Sequence, residues 1–167
     1  SKEVVEVVRR GNSSVFTSPF AYDNLTVVQG IKANSSHTVD QINKGIYFYE
    51  DVFPGIKNQT YLIPGAMIHN GLLPSEFSKN VQVLAGTATN HKVPFLVSNK
   101  IGLGEVLTIN SYAVFEKMYR GLIFSTILRT LEGVPYQVAD VGTIFLDDFP
   151  APLYNKKEPP IDREYDV

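Results

Sequence analysis

The sequence contains no cysteine. Disulfides, thiolate zinc sites and a cysteine nucleophile are therefore excluded. Tryptophan is also absent, so aromatic contacts fall to nine tyrosines and ten phenylalanines. No apolar run reaches the roughly 18 residues that a membrane-spanning helix needs, and no stretch has the layout of a signal peptide. Lysine and arginine form no run, and the formal net charge is -2. Nothing in the charge favours nucleic acid or an anionic membrane as partner. A Walker loop and a Gly-x-Ser-x-Gly elbow are missing too, which removes two common catalytic frameworks.

What remains is the composition of a globular domain. The chain has 167 residues, 44% of them hydrophobic and 19% charged. That length suits one domain with one core. The sequence opens on Ser1-Lys2-Glu3 rather than on Met. We expect a piece of a longer polypeptide, with any targeting segment upstream and an extracellular or cell-envelope setting for the parent. Asn12, Asn24, Asn34 and Asn58 each open an Asn-x-Ser/Thr sequon. Ordinary loop composition accounts for them better than glycosylation.

Hydrophobic spacing predicts the elements. Val4, Val5 and Val8 share a helical face, Glu6 precedes Arg10 by four residues, and Gly11-Asn12 makes a helix stop. A helix is expected over residues 3–10. Residues 14–17 and 25–29 read as strands. Thr38 to Gln41 has the spacing of a capping box, so a short helix is expected there, ended by Gly45. Residues 46–49, 60–63, 66–69 and 81–85 read as strands, and Pro74 to Phe77 as a helix start. Residues 93–98 and 105–109 read as two strands joined across Gly102 and Gly104. Asn110 and Ser111 offer capping oxygens for a helix from about Tyr112 to Leu131. Its apolar stripe comprises Phe115, Tyr119, Leu122, Ile123, Ile127 and Leu131. Gly133 and Pro135 stop it, and residues 141–146 read as a buried strand. Interleaved strands and helices predict an α/β fold, a layered mixed sheet with flanking helices. Residues 150–167 are rich in proline and charge and read as a surface segment.

Few residues carry candidate chemistry. The apolar strand Thr143-Ile144-Phe145-Leu146 ends in Asp147-Asp148. Adjacent strand residues point to opposite sides, so these acids would not share one role. At the carboxyl end of a strand they face the usual site of an α/β or barrel enzyme. Spacing alone favours the plainer alternative, acids that end a strand in solvent or cap a turn. His37, His69 and His91 lie far apart, without the spacing of a metal site on one helix. Each reads as a surface or hydrogen-bonded histidine. Gly102-x-Gly104 lacks the third glycine of a dinucleotide fingerprint and reads as a hairpin turn. Tyr47-Phe48-Tyr49 offers aromatic rings suited to sugar stacking, although alternation in a strand divides such a run between core and surface.

Two stretches resemble known families. Val93-Pro94-Phe95-Leu96-Val97, followed by Gly102-Leu103-Gly104-Glu105-Val106-Leu107-Thr108-Ile109-Asn110, resembles the end of class-I glutamine-amidotransferase-like domains. In those domains a strand, a Gly-x-Gly turn, a strand ending in Asn and a long helix close the fold. The resemblance covers residues 81–131 and implies an amidotransferase-like or flavodoxin-like architecture in degenerate form. The amidotransferase activity does not carry over, because it needs a cysteine. Phe145-Leu146-Asp147-Asp148-Phe149-Pro150-Ala151-Pro152 resembles the first motif of NodB-type polysaccharide deacetylases. That resemblance implies a catalytic base at Asp147 and a metal ligand at Asp148. The whole arrangement is similar to an uncharacterised bacterial family joining the two kinds of domain.

The resemblances imply an accessory α/β domain over residues 1–140 and the first strand of a deacetylase-like domain over 141–167. They imply a polysaccharide and the rest of the same polypeptide as partners. No cofactor is expected in this stretch, and a zinc-like divalent metal is expected in the full-length parent. Such deacetylases also need a histidine pair, which the sequence does not reach before Val167. The stretch by itself is expected to be inactive. The alternative is a free-standing structural or interaction domain with no enzymatic parent.

Overall fold

A computed structural model describes residues 2–18, 23–32, 40–89, 93–111 and 116–131. The chain divides into two units, Ser1–Pro135 and Tyr136–Val167, and every described residue lies in the first. The strand expected at 141–146 therefore falls outside the described residues, as do Gly133 and Pro135.

One six-stranded mixed sheet organises the described residues. Its strands are β1 (Ser14–Phe16), β2 (Asp40–Phe48), β3 (Thr60–Asn70), β4 (Val81–Thr87), β5 (Pro94–Ile101) and β6 (Gly104–Ile109). The order across the sheet is β1-β6-β5-β4-β2-β3. Only β1 and β6 run parallel, and the other pairings are antiparallel. Helices α1 (Lys2–Arg9), α2 (Asp23–Gln29) and α3 (Arg120–Arg129) flank it. The expected mixed sheet with flanking helices is present.

Helix α1 follows the sequence closely. Glu6 bonds Arg10 at 3.1 Å and Arg9 at 3.3 Å on the exposed side. Val8 is fully buried and clusters with Val28 of α2 and Val106 of β6. The helix ends as expected, with Gly11 N–H donating to Val8 O and Asn12 N–H to Val7 O. The β5–β6 turn then closes over this end. Leu103 N–H donates to Arg9 O, and a Cβ on Gly104 would collide with the carbonyl oxygens of Val8 and Asn12. Gly102-x-Gly104 is thus a hairpin turn that lets a helix end approach the backbone.

Three expectations are corrected. Residues 25–29 form the end of helix α2, not a strand. Their β-branched content suggested a strand, but local propensity is a weak prior. Gly30, at φ 76°, ends the helix: Gly30 N–H reaches Val27 O and Ile31 N–H reaches Thr26 O. That is the paired bonding of a left-handed helix stop. Residues 40–45 belong to strand β2, not to a helix. A capping-box pattern acts over one turn, and here the long hairpin with β3 outweighs it. Residues 60–63 and 66–69 are parts of one strand rather than two. Pro64 sits within β3 because β3 is an edge strand, where a missing N–H is tolerated.

The main core lies on the α3 side of the sheet. Ile46, Phe48, Leu84, Leu96, Leu107 and Ile109 pack there with Tyr119 and Leu122. The expected helix over 112–131 appears, in its described part, as a 3-10 turn at Lys117–Tyr119 followed by α3. Tyr119, Leu122 and Ile123 face the core as expected. Ile127 and Leu131 do not: they stay 42% and 54% exposed, beside Phe124 at 60%. Thr126 takes the inward position instead, its hydroxyl bonded to Leu122 O at 2.7 Å. The stripe read from sequence is wider than the face that α3 turns inward.

Candidate functional site

Asp147 and Asp148 lie outside the described residues, and so do His37 and His91. His69 is described. It is 2% exposed, with Nδ1 2.9 Å from Asn70 O, so it is a buried hydrogen-bonded histidine as expected. Among the described residues no three His, Asp or Glu side chains cluster to hold a metal. No described helix is long and apolar enough to cross a membrane.

Asn110 and Ser111 do different work from the capping expected of them. The Asn110 amide donates to Asn70 O at 3.0 Å and Pro94 O at 2.9 Å, and its oxygen accepts from Asn70 N–H at 3.3 Å. Ser111 Oγ donates to Ile68 O at 2.8 Å. These two residues stitch the far end of β3 to the ends of β5 and β6. They satisfy edge-strand groups that would otherwise invite another chain. Helix α3 starts at Tyr119 without a side-chain cap.

The candidate site is a cleft on the α3 side, of about 270 Å³. Its floor is Ile46 and Phe48 of β2, and Tyr61 of β3 forms one wall. Phe53, in the loop after β2, stands edge-on to Phe48 with ring centres 5.5 Å apart. Met118, Tyr119, Gly121, Leu122 and Ser125 close the helix side. Strand alternation explains the floor. In Tyr47-Phe48-Tyr49 only Phe48 points to this face, while Tyr47 and Tyr49 pack edge-to-face at 5.1 Å.

Among the described residues none that lines the cleft is charged. Its polar groups are hydroxyls. Ser125 Oγ donates to Gly121 O at 2.8 Å and keeps its lone pairs for another donor. Burial, then Glu116 and then Tyr61, hold the Tyr119 phenol above its ordinary value of 10.0. It is a neutral hydroxyl at physiological pH. Tyr61 and Met118, 46% and 41% exposed, form the rim. Among the described residues the lining offers apolar surface and hydroxyls, an arrangement suited to binding.

A larger cavity, about 510 Å³, lies on the opposite side, where α1 and α2 end. Two of its basic residues are engaged, Arg9 with Glu6 at 3.3 Å and Lys32 Nζ with Ser75 O at 2.6 Å, and Lys100 lines it as well. Cations beside helix carboxyl ends also complement the helix dipoles. The smaller cleft is the one lined by aromatic side chains, and it is the candidate site.

Sequence reasoning placed Tyr119 and Leu122 on an inward face but did not bring Tyr61, Phe53 or Met118 to them. Those contacts join residues far apart in the chain. One local signal was available: Gly121, in the first turn of a helix, where glycine is unfavourable by about 1 kcal/mol relative to alanine.

Fold and site together define a layered mixed α/β domain with an uncharged aromatic cleft. It is similar in fold to a cytoplasmic protein of Salmonella typhimurium, at TM-score 0.50 and 13% identity over 77% of this chain and 58% of that one. A second cytoplasmic protein from that organism aligns at TM-score 0.49 and 15% identity, over 77% and 59%. A beta-galactosidase from Bacillus circulans sp. alkalophilus aligns at TM-score 0.48 and 21% identity, over 77% of this chain and 20% of that one. The chain thus spans under two thirds of each of these proteins. No curated protein shows significant similarity. The chain belongs to a family described as an uncharacterised protein conserved in bacteria (DUF2194), whose model matches residues 2–167.

Proposed function

We propose that this chain is a non-catalytic accessory domain of a larger bacterial polysaccharide deacetylase. The observation that carries the reading is the cleft: an uncharged, aromatic-lined, solvent-open cavity without a catalytic constellation is equipped for binding. The resemblance of residues 145–152 to a deacetylase motif supplies the enzymatic parent. In this reading Asp147 is the base and Asp148 a ligand of a divalent metal that supplies Lewis acidity when bound. The amidotransferase-like assignment is part of the same proposal. Its support is the run from β5 through the glycine turn to Asn110, which is buried and bonded where the fold closes.

The test is the full-length protein. It should release acetate from acetylated polysaccharide in a metal-dependent way, and Asp147→Asn or Asp148→Asn should abolish release. A reading frame that ends soon after Val167, or continues without a His-x3–5-His pair, would refute the enzymatic parent. A second reading, a free-standing interaction domain, is favoured by the exposed side chains of Phe124 and Ile127 on α3 and of Leu131 just after it. It predicts no hydrolytic activity and a protein partner that Phe124→Asp releases.

A further inference from the structure

We infer that the cleft between β2–β3 and the start of α3 binds one uncharged pyranose ring of a glycan, its apolar face against Tyr61. The inference deepens the accessory-domain reading and rests on it for the choice of a glycan.

Size favours a small occupant. The cleft offers about 270 Å³. Drug-sized ligands occupy pockets of about 300–1,000 Å³. A single ring is the scale that fits.

Chemistry narrows the ring. A pyranose has an apolar C–H face and an edge of hydroxyls. Tyr61 stands at the rim, 46% exposed, as a flat surface for that face. Ser125 Oγ and the hydroxyl of half-exposed Tyr61 supply partners for the edge. The absence of a charged lining residue among the described ones disfavours uronates and amino sugars in their ionised forms, because an unpaired charge is costly to desolvate.

Gly121 is the independent observation. Nothing lies within 4 Å of a Cβ built on it. Gly121 is exposed and lines the cleft. A larger side chain there is tolerated by the fold and competes with a ligand for the opening of the cleft.

The test uses the 167-residue chain labelled with ¹⁵N. Titration with cello- and chito-oligosaccharides should shift the amides of Tyr61, Gly121 and Ser125, with Kd in the millimolar range or below. Gly121→Leu should weaken binding at least tenfold while its thermal unfolding stays cooperative. Tyr61→Ala should do the same from the opposite wall. Shifts at these amides with phenol but with no sugar would overturn the glycan assignment. Shifts only with oligoglucuronate would overturn the uncharged one. Binding that survives Gly121→Leu would move the site elsewhere. Acetate release by the full-length protein is measured separately, so a failed titration leaves the deacetylase parent standing and an inactive enzyme leaves the cleft standing.

Discussion

The two sides of the sheet use glycine in opposite ways. On the side of α1 and α2, Gly104 lies against two carbonyl oxygens, and the helix end closes over the β5–β6 turn. On the side of α3, Gly121 faces open space in a cleft. The first side is sealed where a helix end meets the turn, with the cavity of about 510 Å³ beside it. The second carries the larger core, yet keeps a solvent-open gap among its aromatic residues. A glycine with no room marks packing, and a glycine with room to spare marks a place for something else.

Substitution at the sealed side should have the largest effect. Gly104→Ala forces a Cβ into backbone that cannot give way, and should destabilise by about 3 kcal/mol. Chemical denaturation reads this directly. If Gly104→Ala is as harmless as Gly121→Ala, the contrast between the two sides collapses.

Asn110→Leu comes next. It removes a buried amide that donates to Asn70 O and Pro94 O and accepts from Asn70 N–H, and should lower stability by about 2 kcal/mol. Hydrogen exchange at the Asn70 amide should accelerate with it. Glu105→Ala should lower stability by about 1 kcal/mol, because the Ser98 hydroxyl, 1% exposed, loses its acceptor at 2.5 Å. Gly121→Ala should have the opposite sign. It should raise stability by about 0.5–1 kcal/mol, since alanine adds helix propensity where nothing obstructs it.

Alkaline pH sharpens the comparison on the cleft side. Burial, Glu116 and Tyr61 raise the Tyr119 pKa above 10.0. Burial, then Tyr47, does the same for Tyr49. Between the unfolded and the raised folded values the native state holds more protons. Stability is therefore unaffected below about pH 10 and falls as pH rises beyond it. The hydrogen bond and charge of Glu50 raise the exposed Lys57 in the same direction. Tyr119→Phe should flatten the decline above pH 10 in a series of denaturation midpoints.

Legibility in the sequence was uneven for physical reasons. The β5–β6 hairpin and helix α1 were readable because each depends on residues within a few positions: Gly102 and Gly104 at the turn, Glu6 with Arg10, Gly11 at the stop. Helix α2 was misread because Leu25, Val27 and Val28 suggest a strand, although Gly30 carried the opposing signal. Strand β2 was misread because Thr38 to Gln41 imitates a cap, whereas its pairing partners sit 13 to 30 residues away in β3. The cleft was the least legible part. Phe53, Tyr61 and Tyr119 become neighbours only when β3 and α3 meet over β2, and no spacing along the chain encodes that meeting.

The sequence by itself determined the chemistry available: no thiol, no basic patch, an α/β pattern, and a glycine turn that ends a hairpin. These follow from composition and from interactions a few residues long. Tertiary structure alone decided which polar residues seal an edge, which face of α3 turns inward, and where the aromatic residues leave a gap. Those outcomes depend on long-range pairing, in which a sheet brings distant residues together and burial overrides local preference.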